Sequence, residues 1–117
     1  MQGVQFTATS TTAESQMLSN PMSVHSITCN NDNQDIVSMG TNSALITRKV
    51  IDNAFQVMSI QLIACVKALE ILKAGKKVCN ETKRTIDTVK ELIGSHSVDD
   101  DVFYNKLKKI DNYLRDN

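Results

Sequence analysis

The sequence predicts an all-α fold of long antiparallel helices, and three observations carry that expectation. One Pro and four Gly interrupt 117 residues, too few turn formers for a protein of many short strands. Val, Ile and Leu concentrate between Ile46 and Leu72, inside a run from Thr41 to Lys73 that contains neither Gly nor Pro. Apolar residues in that run recur at steps of three and four, the period of a helix. The length suits one small domain.

Taken in order, residues 4–18 read as a first helix, although their many Thr and Ser are only fair helix formers. Asn20-Pro21 marks its boundary, because the residue before proline is pushed towards extended geometry. Residues 20–36 read as a loop crowded with neutral hydrogen-bonding groups, including His25, Thr28, Asn30, Asn33 and Gln34. Binding groups are commonly carried on such loops. A long helix is expected over residues 38–74. One apolar line on it runs through Ile51, Phe55, Met58, Leu62, Cys65, Leu69 and Leu72. A second, through Ile46, Val50, Val57, Ala64, Ala68 and Ile71, widens the stripe until much of the middle is apolar all round. Such a helix is expected to be buried on several sides, as in a bundle or a subunit interface. Lys73 sits in its last turn, and Gly75 is expected to supply the left-handed residue that ends it.

Asn80 is expected to cap the next helix, which runs through Ile86, Val89, Leu92 and Ile93 to a stop at Gly94. Its single narrow stripe implies a surface helix. Asp99, Asp100 and Asp101 sit at the start of the last helix, where the dipole favours acidic groups. Its face is Phe103, Leu107, Ile110 and Leu114.

Thirteen basic and thirteen acidic side chains cancel, so the chain lacks the basic field that nucleic acid or an anionic membrane would need. Ala54 to Leu72 is broken by Gln56, Ser59, Gln61, Lys67 and Glu70, short of the ~20 nearly uncharged residues of a membrane span. Neither partner is expected. Every Lys and Arg lies between Arg48 and Arg115, while residues 1–40 carry only Glu14, Asp32 and Asp35. An opening segment so poor in charge is either disordered or covered by protein that this chain does not contain. The cysteines Cys29, Cys65 and Cys79 are an odd, widely spaced set with no leader before them, which reads as a reduced, cytoplasmic protein.

Candidate chemistry is sparse. His25 and Cys29 are two ligands where zinc takes four, so no metal is expected. Ser38 has no His or Asp at a spacing that would activate it, and Asp35 reads as a helix-start carboxylate. Cys65 and Cys79 read as inert. Asn80-Glu81-Thr82 fits a glycosylation acceptor, but the capping reading is preferred. Glu14 is expected to be either a buried, hydrogen-bonded structural carboxylate or a support for an active site.

Two motifs bring a family into view. Ala13-Glu14-Ser15-Gln16-Met17-Leu18-Ser19-Asn20-Pro21 resembles the segment of the aromatic amino acid ammonia-lyases that precedes an active-site loop. Asn33-Gln34-Asp35-Ile36-Val37-Ser38-Met39-Gly40 resembles the stretch that closes that loop and opens the next long helix. The resemblance covers residues 1 to about 75 and treats residues 76–117 as terminal amphipathic helices. It implies a C-terminal segment of a helical-bundle enzyme, homotetrameric when intact, that eliminates ammonia from histidine, phenylalanine or tyrosine. Met1 is then expected to be internal to a longer relative.

The resemblance also implies a methylidene-imidazolone electrophile, formed by cyclisation of an internal Ala-Ser-Gly, and a tyrosine base. This sequence has no Ala-Ser-Gly, and Tyr104 and Tyr113 lie outside the family's catalytic tyrosine motif. No catalytic residue is therefore expected here. Asn30 and Gln34 match positions that line the substrate pocket, and a neutral amide can donate to a carboxylate and accept from an ammonium. Histidine-selective members carry Glu at the place of Gln34, so Asn33-Gln34-Asp35 leans towards tyrosine or phenylalanine. A mutase of the same family and a non-catalytic helical oligomerisation module are the alternatives.

Overall fold

The computed structural model describes residues 2–28, 33, 37–75, 77–94 and 100–117. They form α1 (Gln2–Met17), a 3-10 turn (Met22–His25), α2 (Gly40–Ile71), α3 (Asn80–Ile93) and α4 (Asp100–Asp116), with no strand among them. The fold is all-α. Residues 20–36, expected to be loop throughout, contain the 3-10 turn, which starts after the extended Pro21.

In α1 the hydroxyls of Thr9, Thr12 and Ser15 donate to the carbonyls of Gln5, Ala8 and Thr11, four residues back, at 3.0, 2.8 and 3.2 Å. These hydroxyls are occupied within their own helix, which is how a Thr-rich segment stays helical. Only Thr11 of α1 is buried.

α2 is the axis of the molecule, and the ties to it set the direction of its neighbours. Thr11 meets Gln56, and Glu14 and Ser15 meet Asn53, so α1 runs antiparallel to α2. α4 lies on another side. Its Arg115 reaches back to Asp52 (2.8 Å) while also holding Asp111 (2.8 Å), and its guanidinium stacks 4.6 Å from the centre of the Phe55 ring. The two carboxylates hold that guanidinium above its ordinary pKa. The apolar core sits around the second half of α2, where Ile63 and Val66 pack with Ile86 and Val89 of α3 and Ile110 of α4. Phe103, Leu107 and Leu114 flank it, as the expected face of the last helix requires, together with Leu92 and Ile93.

The expected faces of α2 need correction. Its buried residues are Asn53, Ser59, Ile60, Ile63 and Val66, and none belongs to either apolar line read from the sequence. Phe55, Leu62 and Leu69 of the first line lie beside α3 and α4 and are partly covered, but Ile51, Met58, Cys65 and Leu72 are exposed. The reason is that α2 is apolar on most sides, and three shorter helices cover only part of its circumference. By length and composition alone α2 could cross a membrane, yet Asp52 and Glu70 on its covered side are paired with Arg115 and Lys90.

Helix ends also differ from expectation. α2 spans Gly40–Ile71 instead of residues 38–74, and the left-handed residue that ends it is Lys73 (φ 51), not Gly75. Lys73 N–H donates to Glu70 O and Ala74 N–H to Leu69 O, a Schellman ending built on lysine at a cost of about 1 kcal/mol. Asn80 is the first residue of α3, and the capping position belongs to Cys79. Gly94 ends α3 as expected, with φ 69 and its N–H on Lys90 O.

The result is a rod of 66 × 30 × 20 Å with a radius of gyration of 19.8 Å, against about 13 Å for a compact chain of this length.

Candidate functional site

The functional residues expected from sequence fall between α1 and α2, and what holds those two helices together positions that segment. Asn53 is 4% exposed, and its amide donates to Glu14 Oε2 at 2.8 Å and to Ser15 Oγ at 3.2 Å. Lys49 Nζ lies 3.6 Å from Glu14 Oε1, and Thr11 Oγ1 donates to Gln56 Oε1 at 3.4 Å. Of the two readings expected for Glu14, the structural one gains the hydrogen bond but not the burial, because its side chain is half-exposed. In that setting the Lys49 pair contributes at most about 1 kcal/mol. The charge-assisted bond to buried Asn53 is the stronger tie.

The loop that follows is closed at its base. Val37 N–H donates to Ser26 Oγ at 2.8 Å, joining residues eleven apart in sequence. Met39 then enters α2 in the left-handed region (φ 50, ψ 33), a conformation that a β-carbon disfavours by about 1 kcal/mol. No side chain caps this end of α2, and its first turn has no acidic residue. The positive end of the helix dipole beside the loop is thus not met by a side chain of that turn.

Asn30 and Gln34, with Cys29 and Asp35, lie outside the described residues. Of the described residues near them in sequence, Asn33 is exposed, His25 is exposed at the end of the 3-10 turn, and Ser38 is exposed before α2. Among the described residues no three His, Cys, Asp or Glu side chains gather into a metal-binding group. A depression of about 340 Å³ lined by Leu69, Glu70, Lys73 and Lys90 lies at the opposite end of α2, some thirty residues or about 45 Å of helix away from the loop.

Sequence reasoning missed Asn53, Lys49, Ser26 and Met39. A weak signal existed for Asn53, an amide on α2 that falls on neither apolar line, but Gln56 and Gln61 share that property. Ser26 and Met39 depend on loop geometry and carried none.

A segment with this order of elements, α1, a base-closed loop and a long apolar helix, matches the aromatic amino acid lyases over residues 1–91. The chain belongs to the aromatic amino acid lyase family. The match runs through most of α3, beyond the limit near residue 75 expected from the motifs. Among curated relatives, a tyrosine ammonia-lyase of Cupriavidus metallidurans is 32% identical over 97 residues, covering 83% of this chain and 18% of that protein. An MIO-dependent tyrosine 2,3-aminomutase of Streptomyces globisporus is 33% identical over the same length and shares. A histidine ammonia-lyase of Staphylococcus aureus is 31% identical over 112 residues, 96% of this chain and 22% of that protein. The chain spans about a fifth of the length of these lyase relatives. No solved structure matches it.

Proposed function

We infer that this chain is the C-terminal, substrate-loop segment of a cytoplasmic, homotetrameric ammonia-lyase that releases ammonia from an aromatic amino acid and leaves an arylacrylate. The observation that carries this reading is the base-closed loop between α1 and α2, clamped by Ser26 and Val37, in a chain that matches the lyase family over residues 1–91. Asn30 and Gln34 lie in sequence between those two residues, and their amides would hold the carboxylate and ammonium of a bound amino acid. Tyrosine or phenylalanine is the preferred substrate, from Asn33-Gln34-Asp35 and the similarity to a tyrosine ammonia-lyase.

The residues present do not fit the electrophile that the family implies, since the 117 residues contain no Ala-Ser-Gly from which it could form. No reaction step is assigned to this chain, and alone it is inactive. The test is a chimera in which residues 1–91 replace the matching segment of a tyrosine ammonia-lyase. The chimera is expected to form coumarate, read by absorbance, and Asn30→Ala or Gln34→Ala within it is expected to lower kcat/KM at least about tenfold. The isolated chain should give no product from tyrosine, phenylalanine or histidine. Turnover by the isolated chain, or unchanged kcat/KM in both variants, overturns the reading.

A second reading is the mutase branch, favoured by the similarity to a tyrosine 2,3-aminomutase. A β-amino acid among the products of the chimera would identify it. The uncovered side of α2 supports a third, a helical oligomerisation module without catalysis.

A further inference from the structure

The depression where the end of α2 meets α3 has the size and the lining of a binding site. Its volume of about 340 Å³ falls within the range of about 300–1,000 Å³ that small-molecule sites occupy. Leu69 and the buried Ile86 supply the apolar part of the lining, and Glu70, Lys73 and Lys90 bring charge to it. Two cations and one anion leave one positive charge in excess, in a chain whose charges cancel overall. Glu70 Oε1 and Lys90 Nζ are 3.2 Å apart, with both side chains half-exposed. Such a pair is worth little, so exchanging its partner is cheap. Lys73 has no acidic partner among the described residues.

The backbone singles out Lys73. It holds the left-handed conformation (φ 51), which glycine adopts freely and any other residue only against a steric penalty. Residues kept in such conformations cluster where ligands bind. The carbonyls of Ala68, Leu69 and Glu70 accept from the N–H groups of Leu72, Ala74 and Lys73, so this end of α2 presents few free carbonyls to repel an anion. We propose that the depression binds a small organic monoanion, a carboxylate carrying an apolar body the size of one aryl ring. Its carboxylate lies between Lys73 and Lys90, taking the place of Glu70 on the latter, and its body rests on Leu69 and Ile86. A monoanion matches the single excess charge. Inorganic phosphate has no apolar body to cover Leu69 and Ile86, and its second negative charge would stand beside Glu70. The inference rests on the lining of this depression and not on the lyase reading, so either can fail without the other.

The test uses the 117-residue chain with cinnamate as the probe. Amide shifts in NMR spectra are expected to titrate saturably at millimolar cinnamate or below, to be largest over residues 69–75 and 86–90, and to be absent at Ser26 and Val37. Acetate and inorganic phosphate, which bury no apolar body, are expected to bind at least about tenfold more weakly. Lys73→Gly relieves the left-handed strain while removing the charge, so it should raise the urea midpoint of the chain and yet weaken cinnamate at least about fivefold. Lys73→Arg, which keeps the charge, should retain the affinity. Absence of saturable shifts overturns the proposal, as does unchanged affinity in Lys73→Gly. So does phosphate binding as tightly as cinnamate, which assigns the depression to phosphate, and so do shifts centred on Ile51, Met58 and Cys65, which mean that cinnamate only coats the exposed side of α2.

Discussion

Around the second half of α2, Ile63 and Val66 meet Ile86, Val89 and Ile110 in an apolar core, whereas along the first half α1 is attached through Asn53, Glu14, Ser15, Thr11 and Gln56. The apolar half gains free energy in proportion to the area removed from water, and every methylene counts. The polar half gains little from area and depends on a few directional bonds, with Asn53 central because its buried amide cannot fall back on water. The half that carries the candidate loop is thus the more weakly held one. Segments that bind ligands are commonly drawn from the low-stability end of a structure.

The largest effect is expected in the core. Ile110→Ala removes a side chain that is 0% exposed and should lower stability by about 3 kcal/mol, measured by urea unfolding of the whole chain. Loss of less than about 1 kcal/mol would mean that the three-helix core is loosely packed. A smaller and more local effect is expected at the polar seam. Asn53→Ala should cost about 1–2 kcal/mol and, by amide hydrogen exchange, should release α1 while α3 keeps its protection. Equal loss in both helices would break the division of the molecule into two halves.

The smallest effect concerns the exposed Cys79, at the capping position of α3. The Thr82 hydroxyl, 3.2 Å from its sulfur, and backbone N–H groups hold this thiol below its ordinary pKa. A depressed folded pKa stabilises the folded thiolate, so the contribution is present above the unfolded thiol pKa and is lost as pH falls through the folded one. In a Cys29→Ser, Cys65→Ser background, the pH midpoint of alkylation at Cys79 should lie below that of a free thiol. Thr82→Val should raise it, and an unchanged midpoint would remove the hydroxyl from the account.

The fold was legible where helices are amphipathic. A single narrow stripe has only one way to face a core, so Ile86, Val89, Phe103, Leu107 and Ile110 could be placed from spacing alone. α2 could not be read this way. With apolar residues on most sides, its period shows that it is a helix but not which side its own chain covers, and the covered side proved to be the one marked by Asn53, Ser59 and Ile63. Gly75 misled because a left-handed helix end prefers glycine only by about 1 kcal/mol, and the bonds from Lys73 and Ala74 outweigh that preference. At the candidate site the motifs gave the family and the loop. The Glu14 partner Asn53, thirty-nine residues away, could come only from three-dimensional packing.

Asp52 and Asn53 are consecutive, yet the first holds α4 through Arg115 and the second holds α1 through Glu14. Ile63 then joins the apolar core ten residues further along the same rod. Each residue turns a helix by about 100°, so adding or removing one residue between Asn53 and Ile63 would point the polar ties and the core in different directions. The length of this stretch is therefore under tighter constraint than the identity of its exposed residues, and homologous chains should differ here by substitution far more readily than by gaps.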